Sequence, residues 1–197
     1  MTTVYFVRHA QPNYENHNDL LRELTAKGLE DRKKVTEFLN HQNITAVISS
    51  PYKRAIDTVK EFADLHDMQI ELIEDFRERT VGNEWIEDFE AFARRQWQDF
   101  SYKLSGGESL EEVQERNIKA LQTVLNSHKG ENIVIGTHGT ALSTILHRYD
   151  SSFGYEAFCN IKNIMPWIVR FVFDDQANCV RIHYDKKNVI GAYQNFI

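Results

Sequence analysis

Apolar residues along the chain follow two alternating rhythms: short unbroken runs, and longer stretches in which they recur every three or four positions. Val4-Tyr5-Phe6-Val7, Ile44 to Ile48 and Ile133-Val134-Ile135 are dominated by β-branched and aromatic residues, the pattern of strands covered on both faces. Gln69 to Ile73 alternates and is a weaker strand candidate. Helical spacing covers Thr25 to Leu39, which carries Leu29, Val35, Phe38 and Leu39, then roughly Arg54 to Leu65, then Leu110 to Leu125. The last opens on Ser109 and Glu112, a capping-box spacing that satisfies two orphan amides at a helix start. Trp167 to Phe173 and Cys179 to Tyr184 alternate around Asp174-Asp175-Gln176-Ala177-Asn178, which predicts an antiparallel hairpin. Strands alternating with helices predict an α/β fold: a three-layer α/β/α sandwich whose central sheet is mostly parallel, with the C-terminal hairpin antiparallel at one side. The tail Asn188 to Ile197 takes no assignment.

Trp85 to Phe100 stands outside that alternation, with Trp85, Ile86, Phe89, Phe92, Trp97 and Phe100 close to helical spacing. Such a stripe packs against a core. It also suits a small aromatic helical cap around residues 80–106, with Arg94 and Arg95 available to a substrate. At 197 residues and 42% apolar content the chain can bury a sizeable core, so a single domain over residues 1–197 is expected. Three prolines and nine glycines, spread without a low-complexity tract, leave no long linker between elements.

The formal charge of −6 argues against broad binding to nucleic acid or anionic membranes, so an anionic ligand would need a local positive pocket. No run approaches the length of a membrane span, and the first residues lead straight into a strand, so the expected location is the cytoplasm. The two cysteines, Cys159 and Cys179, have neither zinc-site spacing nor the density of a disulfide scaffold. Oligomeric state is left open.

In open α/β sheets a ligand sits beyond the carboxyl ends of the parallel strands, so the residues just past each strand carry the chemistry. The first strand runs into Arg8-His9. The second, in "AVISSPYKRA", ends at Ser49-Ser50, with Pro51 suited to the first position of a helix and Arg54 in its opening turn. The third, in "NIVIGTHGTA", gives His138-Gly139 before another helix. Two helix starts, two arginines and two histidines at one mouth suit a phosphoryl group, whose transfer is catalysed mainly by positioning and charge neutralisation. A histidine there can be the nucleophile if neighbouring guanidinium groups keep it neutral. The leaving alkoxide needs a proton, for which Glu74, Asp75 and Glu78 are candidates. The histidines show no metal-ligand spacing, and no GxxxxGK[ST], GxGxxG or GxSxG pattern occurs, so no metal and no cofactor are expected.

With these motifs the chain resembles the histidine phosphatase superfamily, also called phosphoglycerate mutase-like. "VRHAQ" is similar to its RHG motif, "SSPYKRAIDT" to its SSP-x-x-R-A-x-x-T segment, "FRER…G" to its Glu-bearing segment, "GGES" to its G-E-S helix start and "GTHG" to its second histidine. RHG alone is a weak signal; five motifs in family order, from Val4 to about Tyr149, are specific. The resemblance implies His9 as the nucleophile that becomes phosphohistidine. It also implies Arg8, Arg54, His138 and Gly139 in the phosphate pocket, and Glu78 as general acid. Thr25 and Ser109 match family positions too and read adequately as helix caps. Three features depart from the family pattern: Ala10 replaces the glycine of RHG, Glu15 stands where an asparagine often contacts phosphate, and "GNEW" replaces W-E-G. The nearby asparagines are Asn13 and Asn16.

The resemblance implies a metal-independent phosphomonoester hydrolase acting on a small phosphorylated substrate. Two other readings belong to different classes: a phosphoglycerate mutase-type transferase, and an inactive phosphate- or phosphopeptide-binding module. Only about thirty residues separate Glu78 from Gly107, short of the basic insertion of true mutases, which favours hydrolysis. A nucleophile and an acid are needed for turnover and not for binding, which disfavours the module.

Overall fold

The computed structural model describes residues 1–82 and 86–184. Six strands form one sheet: β1 (Thr2–Arg8), β2 (Ala46–Ser49), β3 (Ile70–Leu72), β4 (Asn132–Thr137), β5 (Trp167–Phe173) and β6 (Cys179–Tyr184), in the order β3-β2-β4-β1-β5-β6. β1, β2, β3 and β4 pair in parallel, while β5 is antiparallel to both β1 and β6. The helices are α1 (Ala26–Leu39), α2 (Lys53–Leu65), α3 (Phe89–Gln98), α4 (Leu110–Ser127), α5 (Gly139–Tyr149) and α6 (Tyr155–Ile161). The expected α/β fold with its C-terminal hairpin is the one observed.

Strand period two explains why β1 is buried throughout. Val4 and Phe6 point into a cluster with Leu121, Val124, Leu142 and Ile145 of α4 and α5, whereas Tyr5 and Val7 join Val35, Phe38, Val59 and Phe62 of α1 and α2. Two helical layers therefore cover the two faces, and each dry face holds the sheet by burial of apolar surface. Aromatic contacts tie the larger cluster to β5, with Phe6 edge-on to Phe171 at 5.4 Å.

Most sequence-based element boundaries move by only one to three residues, because Thr25 and Ser109 are caps lying just outside α1 and α4. Both halves of the predicted capping box are present at Ser109 and Glu112. Pro51 is not the first helical residue: the cap is Tyr52, whose amide donates to Ser50 Oγ at 3.2 Å, so Pro51 lies before it. α6 went unpredicted. In the aromatic segment, Phe92, Ala93 and Gln96 are buried while Phe89 remains half exposed. Trp85, most of "GNEW" and the tail Asn188 to Ile197 lie outside the described residues.

Candidate active site

Strand register alone brings three strand ends to one mouth. Arg8 pairs with Thr137 across β1 and β4, and Ser49 with Gly136 across β2 and β4. One step further, the His9 amide donates to the Thr137 carbonyl and the Ser50 amide to the Gly136 carbonyl. His9 and His138 consequently stand with ring centroids 5.3 Å apart.

His9 is 5% exposed. Its Nδ1 is 2.8 Å from the Ala10 carbonyl oxygen. A carbonyl only accepts, so this bond places the imidazole proton on Nδ1 and leaves the Nε2 lone pair as the nucleophilic site. Burial, and then the Arg54 and Arg8 charges, hold the His9 pKa well below 6.5, so the ring is neutral near pH 7. The next residue is held from α2, where the Ala10 amide donates to Thr58 Oγ1 at 2.9 Å.

The Arg8 guanidinium is fixed by the carboxyl end of α6: Nη1 donates to the carbonyls of Ile161 (2.7 Å) and Ile164 (3.2 Å), and Nη2 to that of Lys162 (2.9 Å). Those carbonyls favour a cation. Nε makes no hydrogen bond among the described residues, and it lies against Gly139, where an added Cβ would come within 3.1 Å of Nε and Cζ. Glycine at 139 therefore lets the buried Arg8 guanidinium lie directly against the start of α5. Arg54 is nearly buried, donating Nη1 to the Asp19 carbonyl at 2.6 Å and pairing with Asp19 Oδ1 at 3.0 Å. His138 is buried completely, its Nε2 2.8 Å from Ser50 Oγ and its Nδ1 without a partner among the described residues. Burial first, then the Arg54 charge, also pushes the His138 pKa well below 6.5.

Of the three acidic candidates only Glu78 lines the pocket. Its carboxylate caps α5: Oε2 accepts from the Thr140 amide at 3.0 Å and Oε1 from the Ala141 amide at 3.1 Å. Segment 75–78 has little regular structure of its own and is bracketed from α4. Arg116 donates to the carbonyls of Asp75, Arg77 and Glu78, while Glu108 accepts from Arg116, Arg77 and the Thr80 amide. Glu74 instead faces solvent near Arg77.

Arg8, His9, Arg54, Glu78 and Gly139 line a pocket of about 420 Å³; His138 does not line it and reaches the site only through its ring contact with His9. The lining holds five basic residues, Arg8, Arg22, Arg54, Arg79 and Lys162, against Asp19 and Glu78, the local positive site that an anion requires in an acidic chain. Arg94 and Arg95 do not line it; Arg94 lies over Tyr155 and Arg95 over Tyr102. Asn13 and Asn16 do not line it either; both side-chain amides donate to the Glu23 carboxylate, Asn16 foremost in holding its pKa down to about 2. The supporting residues Ser50, Thr58, Asp19, Arg79 and Lys162 were not assigned from sequence. Ser50 and Thr58 lie inside a family-like motif, whereas the contacts of Arg79 and Lys162 depend on distant segments. Among the described residues no cluster of three His, Cys, Asp or Glu side chains could hold a metal, and no helix is long and apolar enough to cross a membrane.

Two plant proteins share the sequence pattern, and a solved protein shares the fold. The phosphoglycerate mutase-like protein 4 of Arabidopsis thaliana is 29% identical over 74% of this chain and 70% of its own. The metal-independent phosphoserine phosphatase of the same plant is 28% identical over 75% of this chain and 68% of its own. A phosphoserine phosphatase from Entamoeba histolytica, solved in complex with phosphoserine, superposes with a TM-score of 0.73 at 20% identity, over 92% of this chain and 96% of that one. The profile of the histidine phosphatase superfamily (branch 1) matches residues 4–181, and the chain belongs to that family.

Proposed function

We propose that this chain is a phosphomonoester hydrolase acting on a small phosphorylated metabolite in the cytoplasm, through a phosphohistidine at His9. The observation that carries the reading is the neutral His9, with Nε2 left for attack, set between two arginines at the mouth of a pocket that also holds Glu78. Arg8 and Arg54 neutralise the phosphoryl oxygens, with His138 against the His9 ring. His9 Nε2 forms a bond to phosphorus as the ester P–O bond breaks, and Glu78 gives its proton to the departing alkoxide. The Glu78 carboxylate then takes a proton from water as that water attacks phosphorus. The P–N bond breaks, releasing phosphate and restoring both residues. With two guanidinium groups supplying the charge, turnover is expected in the presence of a chelator. The named activities of the relatives support a small phosphate ester, and make O-phosphoserine the first substrate to assay.

The test is release of inorganic phosphate from a phosphomonoester panel in EDTA, with alkali-quenched samples examined for phosphohistidine. His9→Ala is expected to lose about 10³-fold or more in kcat and to accumulate no phosphoenzyme. Undiminished turnover by His9→Ala, or a strict need for added metal, would overturn the mechanism. Exchange of phosphate between the hydroxyls of phosphoglycerate with little free phosphate would replace hydrolase by mutase, and saturable binding without turnover would leave a binding module.

A further inference from the structure

Three of the pocket arginines are held by two or more oxygens of the fold. Arg8 has the carbonyls at the end of α6, Arg54 has Asp19, and Arg22 has Asp19 Oδ1 at 2.9 Å and the Asn16 carbonyl at 2.8 Å. Arg79 differs. It is 4% exposed, and among the described residues its guanidinium has one hydrogen-bond acceptor, the neutral side-chain amide of Gln96, reached through Nη1. Its Cζ lies over the rings of Phe92 and Phe89, at 5.1 and 5.5 Å, and Nε is buried without a partner. Neither nearby carboxylate is free for it: Glu78 is held by three backbone amides, including that of Arg79, and Glu108 by Arg77, Arg116 and the Thr80 amide. Among the described residues Arg79 has no ion-pair partner.

A buried guanidinium stays protonated; Glu78 and Glu108 attract its charge without contacting it as ion-pair partners, and it forms part of the pocket wall. On the same wall stands Lys162, whose carbonyl accepts from Arg8 and whose half-exposed ammonium comes no closer than 4.0 Å to Glu90. The phosphoryl group is already provided for by Arg8, Arg54 and His9. Two cations beyond that need suit a second anionic group on the same ligand, and a planar guanidinium pairs well with a planar carboxylate.

We propose that the pocket selects phosphomonoesters that also carry a carboxylate, which Arg79 receives with assistance from Lys162. This rests on the hydrolase reading, in that the phosphate is placed at His9. Phe89 and Phe158 stand on the same pocket wall as these cations, and Phe89 lies against the Arg79 guanidinium.

O-phosphoserine and O-phosphoethanolamine differ only in that carboxylate, and their kcat/KM ratio reads the subsite directly. Wild type is expected to favour phosphoserine by about 10-fold or more, chiefly through KM. Arg79→Gln should bring the ratio near one, its loss on phosphoserine exceeding its loss on phosphoethanolamine by about 10-fold, with Arg79→Lys intermediate. Lys162→Gln, at a half-exposed position that folding tolerates, should lower the ratio by about threefold and decides the matter if Arg79→Gln does not fold. A wild-type ratio near one, or a ratio unchanged in the variants that fold, overturns the proposal. If neither ester is turned over, the hydrolase reading is judged on the full panel and this pair is compared by calorimetric binding. Tighter binding of phosphoserine that is lost in the variants then still supports the carboxylate subsite, and equal binding overturns it.

Discussion

A guanidinium serves a phosphate only from the position in which its own fold fixes it. In Arg8 both terminal nitrogens are engaged by carbonyls of Ile161, Lys162 and Ile164, and Nε faces the backbone of Gly139. Gly139→Ala would put a methyl group 3.1 Å from Nε and Cζ, tighter than ordinary contact, so the guanidinium must shift. A displacement of this kind is expected to cost about 10- to 100-fold in kcat/KM while helical content, read by circular dichroism, stays the same. Full activity in that variant would show that the placement of the Arg8 guanidinium against Gly139 does not matter to the reaction. The same scale explains why Arg94 and Arg95 were misplaced from sequence. A pair of arginines in an amphipathic stretch has no stated direction until the helix is docked, and here the rings of Tyr155 and Tyr102 take them.

At the scale of elements, the acid candidate depends on the start of α4. Glu108 precedes the cap and Arg116 follows two turns later, and together they bracket segment 75–78. The capping box at Ser109 and Glu112 fixes where that helix begins. Ser109→Ala should lower stability by about 1 kcal/mol, seen as a reduced denaturant midpoint, with kcat little changed because Glu108 and Arg116 remain. A much larger fall in kcat than in stability would place Ser109 itself in the site. This helix start was legible in the sequence because capping is a local code. α6 was not: Tyr155–Ile161 is barely two turns, too short to display a period, and its service to Arg8 is rendered by backbone carbonyls that no residue identity reveals.

At the scale of the whole molecule, the two site histidines tie catalysis to stability. In the unfolded chain each takes up a proton near pH 6.5, whereas in the fold burial and the arginine charges keep both neutral well below that. Between those limits the unfolded state binds more protons, so the free energy of unfolding declines as pH is lowered. The stability is full above about 6.5 and falls by at most about 1.4 kcal/mol per pH unit for each histidine. Thermal melts between about pH 7.5 and 5 should show this fall, and the His9→Gln, His138→Gln double variant should show a shallower one. An equal slope would remove the buried-imidazole account. What the sequence by itself determined is the local pattern: period-two runs at Val4-Tyr5-Phe6-Val7 and Ile133-Val134-Ile135, helical spacing between them, caps, and motif residues stationed just past the strand ends. Those features depend on near neighbours, so they can be read without the fold, and they were enough to bring Arg8, His9, Arg54 and His138 to one mouth. Tertiary structure alone decided which acid joins them and which cations have no ion-pair partner among the described residues. Each of these turns on contacts between segments far apart in the chain, such as Glu78 on the α5 amides or Arg79 on Gln96. Distance in space, burial and counter-charge are set only when the layers close.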